Sequence, residues 1–424
     1  MNPDLLRERI ASKRDELIEL TRDLVRIPTV NPPGEAYIPC AELLGQRLRS
    51  RGFDVKYLRA IGTPGDSDRY PRMNVVAKHK GKQPGKTVHF NGHIDVVEAG
   101  SGWSFDPFAA TVKNGRIYGR GTADMKGGIA AAVIATESLL ELEPDLPGTL
   151  EFSGTVDEES GGYGGVAWLC EQGYLSRDTV DHVIIPEPLN KDRVCLGQRG
   201  VWWAEIETKG RIAHGSMPFL GDSAIRHMGA MLEAFESSLY PHLATKKTAM
   251  PVVPEGARQS TLNINSLHGG QYEGHDGLPA PVVADSCRMI IDRRFLIEEP
   301  LDVVKAEVRN LLDELTESRR GFRYSLRDLF EVHPTLTDRS APVARKVAEA
   351  IRTVLGRDPD FVVSPGTYDQ KHIDRIGRLH NCIAYGPGIL DLAHTPDEYV
   401  GIDDLVASAQ VMALATWQLV HGHE

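Results

Sequence analysis

The stretch Gly128-Ile-Ala-Ala-Ala-Val-Ile-Ala-Thr-Glu-Ser-Leu-Leu-Glu-Leu142, followed after a Pro/Gly-containing turn by Thr149-Leu-Glu-Phe-Ser-Gly-Thr-Val156, decides the fold class. An Ala-rich run of helical length and then a short apolar run bounded by turn residues read as a helix and a buried strand. The same alternation extends in both directions. Upstream, the periodicity predicts helices over 4–26 and 38–51, the first stopped before Pro28. Strands are expected over 74–79 and 87–91, and a hairpin over 111–119 around Asn114-Gly115. Downstream come a helix over 166–172 and a short buried strand at 182–186. Alternating units of this kind predict a three-layer α/β domain with a largely parallel sheet.

Near residue 198 the texture changes. Strands over 201–209, 260–266, 286–295 and 322–330, with helices over 223–238 and 301–318, make a β-α-β-β-α-β order, a ferredoxin-like α+β pattern. Residues 240–258 and 268–284, rich in Gly, Pro and His, read as loops. After His333-Pro334 the α/β texture resumes, with helices over 341–355 and 402–420 and strands over 360–364 and 381–385. The expected organisation is an α/β catalytic domain (1–197 and 332–424) split by a smaller α+β insert (198–331). A length of 424 residues agrees with two domains.

Composition excludes several classes. The net charge of −11 disfavours binding to nucleic acid or an anionic membrane surface over the whole body. No apolar run approaches the roughly 20 residues that span a bilayer, and the charged start MNPDLLRERIASKRDE has no signal-peptide core. Five scattered cysteines (Cys40, Cys170, Cys195, Cys287 and Cys382) without a C-x-x-C pair fit buried thiols in a reducing compartment. A cytoplasmic location is expected.

Acidic and histidine residues gather at predicted strand ends, where open α/β sheets place ligands. The strand over 87–91 runs into Gly92-His93-Ile94-Asp95, where i and i+2 share a side, so Asp95 is placed to orient His93. Asp124 lies in Gly119-Arg-Gly-Thr-Ala-Asp-Met-Lys-Gly-Gly128, as an N-cap or as a ligand beside close-approach glycines. Asp157-Glu158-Glu159 follows a buried strand, where crowded carboxylates are costly without a cation. Glu187 ends the next strand, as a cap, an ion-pair partner or a ligand. His394 stands in Leu392-Ala-His-Thr-Pro-Asp-Glu398, as a loop residue or a ligand. Two histidines and three carboxylates suit a hard-to-borderline divalent metal. Two such ions sharing a carboxylate, about 3.5–4 Å apart, activate water for hydrolysis.

In order, GHIDVV, GRGTADMKGG, DEES, PEP and AHTPDE resemble the M20 family of metallopeptidases, which includes acetylornithine deacetylase and succinyl-diaminopimelate desuccinylase. The resemblance covers nearly the whole chain. It implies one metal held by His93, Asp124 and Glu187, and a second held by Asp124, Glu159 and His394, with Asp124 bridging. Zinc is the first expectation for both, with cobalt or manganese as alternatives. It further implies that Asp95 orients His93 and that Glu158 deprotonates a metal-bridging water and later protonates the leaving amine. An Asp124–Met125 cis peptide is also implied. In the insert, Lys209-Gly-Arg-Ile-Ala-His214-Gly-Ser-Met-Pro218 is a turn by its residues. The resemblance makes His214 an oxyanion donor reaching a partner subunit's site, hence a homodimer whose insert serves as dimerisation and lid domain. Arg293, in Ile291-Asp-Arg-Arg294, would hold a substrate carboxylate, against the alternative of an ion pair with Asp292. Gly366 and Thr367, in Ser364-Pro-Gly-Thr-Tyr-Asp369, and Gly388 would line the substrate pocket. The pattern departs from the family where Tyr368 interrupts Gly-Thr-Asp, and where 277–284 lacks the asparagine of Asn-x-Ile-Pro.

The implied activity is di-metal cleavage of the amide of an N-acyl amino acid or close analogue. Carboxypeptidase or dipeptidase action on small peptides is the alternative. Gly162-Tyr-Gly164-Gly-Val-Ala167 also satisfies the G-x-G-x-x-A pattern of NAD-dependent dehydrogenases. However, Asp157-Glu158-Glu159 would set negative charge where a pyrophosphate must sit. A non-catalytic ligand-binding relative should lack a ligand or the base, and every position here is filled.

Overall fold

The computed structural model describes residues 2–271, 275–278 and 280–422. The chain divides into two compact units: Met1–Gly197 with Leu336–Val362 and Tyr368–Glu424, and Gln198–Thr335 with Val363–Thr367.

The first unit is built on a mixed sheet. Its strands run in the order Asp54–Arg59, Met73–Lys80, Thr149–Thr155, Thr87–His93, His182–Ile185, Cys382–Ala384, Arg193–Gln198 and Thr335–Leu336. Asp360–Ser364 pairs with Arg193–Gln198 off this path. The central pairs are parallel: Thr87–His93 pairs in parallel with both Thr149–Thr155 and His182–Ile185, which in turn pairs with Cys382–Ala384. The pairs of Met73–Lys80 with Asp54–Arg59 and with Thr149–Thr155, and of Cys382–Ala384 with Arg193–Gln198, are antiparallel, so the sheet expected to be largely parallel is mixed. Gly127–Leu142 is buried nearly throughout its first thirteen residues and packs with Ile402–Val420 against Thr87–His93. Tyr37–Arg49 packs on Met73–Lys80. The single helix expected over 4–26 is two, Pro3–Ser12 and Arg14–Val25, broken where Lys13 leaves helical dihedrals (φ −95°, ψ 14°). The hairpin turn is as read: Asn114 and Gly115 both have positive φ, as a two-residue type I′ turn requires.

The second unit is a four-stranded antiparallel sheet ordered Thr261–Gly269, Ser286–Phe295, Gly200–Lys209, Arg323–Val332. In chain order it reads strand, helix, strand, strand, helix, strand, with Ala224–Ala234 and Leu301–Ser318 as principal helices. Trp202, Ile206, Met228, Phe235, Met289, Ile291, Phe295, Val304 and Leu312 form its core. Tyr240–Thr245, expected as loop, is helical and continues the run of Ala224–Ala234 and Phe235–Leu239, with Pro241 directly after the wider turn in which Tyr240 N–H donates to the Phe235 carbonyl. Part of the 268–284 loop lies outside the described residues. No helix among the described residues is long and apolar enough to cross a membrane.

Candidate metal centre

The strand Thr87–His93 ends in a buried histidine. His93 Nδ1–H donates to the main-chain carbonyl of Asp95 at 3.0 Å, while the Asp95 carboxylate is farther off, at 3.6 Å. The expected orientation of His93 by Asp95 therefore runs chiefly through the backbone. The Asp95 carboxylate instead accepts Asn31 Nδ2 (2.9 Å) and the backbone N–H groups of Glu158 (3.3 Å) and Glu159 (3.1 Å). It thus fixes the turn that carries both glutamates. That turn needs left-handed backbone at Asp157 (φ 63°), and Arg72 and Tyr37 hold the Asp157 side chain at 2.9 and 3.1 Å.

Asp124 stands at the N-terminal approach to Gly127–Leu142, and its peptide bond to Met125 is cis. Its two oxygens face two histidines: His93 Nε2 lies 3.1 Å from Oδ1 and His394 Nε2 lies 3.5 Å from Oδ2. Each histidine has a second carboxylate, Glu187 at 3.9 Å from His93 Nε2 and Glu159 at 3.1 Å from His394 Nε2. Donor atoms of His93, Asp124 and Glu159 all lie within 4.8 Å of one another. Glu187 reaches the group because Gly128 has no side chain: a Cβ there would sit 1.9 Å from the Pro186 carbonyl oxygen.

The donor set fits divalent cations. With Nδ1–H committed to Asp95, a neutral His93 aims the Nε2 lone pair at a carboxylate, and two electron pairs face each other unless a proton or cation lies between. The electrostatics show the same demand for positive charge. Burial opposes protonation of His93, yet the adjoining Asp124 and Asp95 carboxylates raise its pKa well above the ordinary value. His394 is pushed up to about 10 by Asp124 and Glu159. Burial and the neighbouring Asp124 charge raise Glu187 well above the carboxylate range, and burial lifts Glu159 to about 7.

A family model described as peptidase family M20/M25/M40 matches residues 89–418. This chain belongs to that family. The M20 chain is 28% identical to N-formyl-4-amino-5-aminomethyl-2-methylpyrimidine deformylase of Bacillus subtilis strain 168, an alignment covering 96% of this chain and 95% of that protein. It is 30% identical to succinyl-diaminopimelate desuccinylase of Cupriavidus taiwanensis, covering 91% of this chain and 94% of the relative. Its fold is that of human carnosine dipeptidase 1, with a TM-score of 0.75 and 20% identity over 99% of each chain.

Other expected site residues of the M20 chain fall in different surroundings. Gly388 lies beside the segments that carry Asp124 and Glu187: a Cβ on it would meet the Ala123 carbonyl oxygen at 2.5 Å and Pro188 at 2.6 Å. Gly366 and Thr367 belong to the second unit, Gly366 N–H donating to Ser364 Oγ at 3.2 Å. Tyr368, which interrupts the family pattern, is buried and donates to Gln370 Oε1. His214 is exposed, and its Nδ1 accepts the Ser216 N–H at 3.2 Å, which leaves the neutral ring's proton on Nε2. Arg293 requires a correction. Its side chain is fully buried, with Nη2 3.1 Å from Glu299 and 3.2 Å from Glu307, so it sits in an internal ion network and not on an open surface. The ion pair with Asp292 is made by its neighbour Arg294, the half-buried arginine of the two. The signal was present in the strand period: Met289, Ile291 and Phe295 alternate inward, and position 293 shares their face.

Sequence reasoning also passed over three buried charged residues, Lys371, Glu398 and Arg120. Each stands inside or beside a quoted motif, but no local pattern shows that its partner lies hundreds of positions away.

Proposed function

We propose that this M20 chain is a two-metal amidohydrolase that removes a small acyl group from an N-acyl amino acid or close analogue. The observation that carries the reading is the sharing of Asp124 between two histidines, each backed by its own glutamate. His93, Asp124 and Glu187 would hold one ion and Asp124, Glu159 and His394 the other, zinc first, with cobalt or manganese as alternatives. Such ions supply Lewis-acid polarisation of the amide carbonyl and acidify water.

The chain's own groups do the rest. Glu158, presented by the Asp95-anchored turn, takes the proton of the attacking water and returns it to the leaving nitrogen. Asp95 and Asn31 keep that turn in place. His214 Nε2–H, supplied by a partner subunit, donates to the oxyanion as charge develops on the carbonyl oxygen. The dimer is supported by the surface around His214. Ile212, Met217, Phe219, Leu220, Ile225 and Val282 are all exposed, and bridges Arg211–Asp222 and His214–Val282 gather these segments together. An apolar patch of this kind marks a protein interface. The insert would then be the dimerisation and lid domain.

Deacylation is favoured over peptidase action because full-length relatives at 28–30% identity are a deformylase and a desuccinylase, whereas the dipeptidase likeness is one of fold. The test is metal content together with hydrolysis of N-formyl, N-acetyl and N-succinyl amines and of dipeptides, with and without chelator. Near two ions per chain and chelator-sensitive loss of the acyl group are expected. Cleavage of dipeptides alone would establish the peptidase alternative. Neither metal nor cleavage after reconstitution with zinc, manganese and cobalt would overturn both.

A further inference from the structure

We propose that Lys371 is a positioning residue for Glu158, holding one carboxylate oxygen so that the other is aimed at the attacking water. The inference rests on the reading of Glu158 as the base and adds a residue to it. Lys371 Nζ lies 3.2 Å from Glu158 Oε1, with the two side chains only 3% and 10% exposed. A buried ammonium is costly unless paired, so this lysine is placed for that carboxylate.

Its backbone is pinned on the N-terminal side by two consecutive residues. Asp369 Oδ2 accepts Asn91 Nδ2 at 2.7 Å and Thr155 Oγ1 at 3.2 Å. Gln370 Nε2 donates to the Leu196 carbonyl (3.1 Å), Thr337 Oγ1 (3.0 Å) and the Cys382 carbonyl (2.8 Å). Lys371 follows these anchors directly, in the helix Gln370–Arg375. Asn91 and Thr155 stand at or near the ends of the strands that deliver His93 and the Glu158 turn. The frame that sets the ligands therefore also sets the lysine.

The other hydrogen bonds of Glu158 among the described residues are at its main chain, its N–H donating to Asp95 and its carbonyl accepting the Gly161 N–H. The last torsion of a glutamate is broad, and a charge-assisted bond to one oxygen removes that freedom. The second oxygen is left to take and return the proton.

The experiment uses the full-length, metal-reconstituted enzyme and whichever N-acyl substrate it cleaves. Lys371→Met should lower kcat by about 10–100-fold, the scale of a misplaced catalytic group. KM, metal content and melting temperature should stay near wild type, and Lys371→Arg should recover part of the rate. The decisive measurement is a double-mutant cycle with Glu158→Gln. Because Lys371 acts through Glu158, Lys371→Met should cost nothing more in that background. Losses that multiply, or a loss confined to KM, would overturn the proposal and make Lys371 a substrate contact. Should Lys371→Met fail to fold, Lys371→Arg and Lys371→Gln carry the same cycle. Wild-type turnover by Glu158→Gln alone would remove the base reading itself. An inactive Glu158→Gln beside a fully active Lys371→Met would remove only the lysine's role.

Discussion

Glu398 Oε1 accepts the backbone N–H of Asp124 at 3.2 Å, and the same oxygen accepts those of Gly121 and Ala123 at 3.0 and 2.9 Å. The other oxygen takes Arg120 Nη1, which also donates to the Thr395 carbonyl. This fully buried pair ties the loop carrying Asp124 to the segment carrying His394, four residues before Glu398 in the chain. Groups that orient ligands in this way typically cost 10–100-fold in metal affinity or activity when changed. Glu398→Gln keeps the volume but puts an amide where one side must meet N–H donors. Its affinity for divalent zinc should fall by about that factor, read by competition with a chromogenic chelator. Unchanged affinity would show that the two segments hold their places without it.

Gly128→Ala should damage the site from behind. The added Cβ would meet the Pro186 carbonyl oxygen at 1.9 Å, and backbone gives way less easily than a side-chain tip. Overpacking of this kind costs about 1–3 kcal/mol, so the melting temperature should fall. Glu187, the next residue, should lose its place, and metal content should drop towards one ion per chain. Gly229→Ala is the contrast. It lies in the helix Ala224–Ala234 with nothing within 4 Å of the new carbon, and should be neutral or stabilising by up to about 1 kcal/mol.

His182 and His372 should each weaken the fold on mild acidification, while burial raises the carboxyl pKa of Asp157, Asp369 and Glu398 to about 6, 6 and 7, so that these three act in the opposite direction over the same range. Burial holds His182 and His372 down to a pKa of about 4 in the folded protein, against an ordinary value near 6.5. On these two residues the unfolded chain therefore takes up protons first as pH drops, and their contribution lowers stability between about pH 6.5 and 4, by roughly 1.4 kcal/mol per pH unit for each histidine. Above pH 7 these residues impose no pH dependence. Chemical denaturation at several pH values should show that His182→Gln loses less stability on acidification than the wild type, by about the contribution of one histidine. An unaltered slope in that variant would assign the acid sensitivity to other groups.

The dimer reading makes a separable prediction. Phe219 is 78% exposed, and Phe219→Asp should shift sedimentation from dimer to monomer and lower turnover without releasing metal. Mixing Glu158→Gln with His214→Ala chains under exchange conditions should restore activity, because each mixed dimer regains one complete site. Mixtures as inactive as their components would place His214 outside the partner's reaction.

The candidate metal ligands were legible because the chemistry is local. A histidine or carboxylate just past a short apolar strand is recognisable from the strand's own period, and His93, Asp124, Glu159, Glu187 and His394 all converge in one unit. The β-α-β-β-α-β order of the insert was readable for the same reason. Other features were not local. Strand direction at the sheet edges depends on which neighbour the chain finds, so Met73–Lys80 is antiparallel to Thr149–Thr155 despite its position within an alternating pattern.

The sequence by itself determined which residues could bind metal, and where helices and strands would form, since propensity, period and turn chemistry act within a few residues. Only the tertiary structure decided what each candidate ligand leans on. Lys371 meets Glu158 across 213 positions and Glu398 meets Asp124 across 274. It also buried Arg293 among glutamates while leaving Arg294 half exposed. Burial and long-range pairing depend on which surfaces the folded chain brings together, and no local pattern records that.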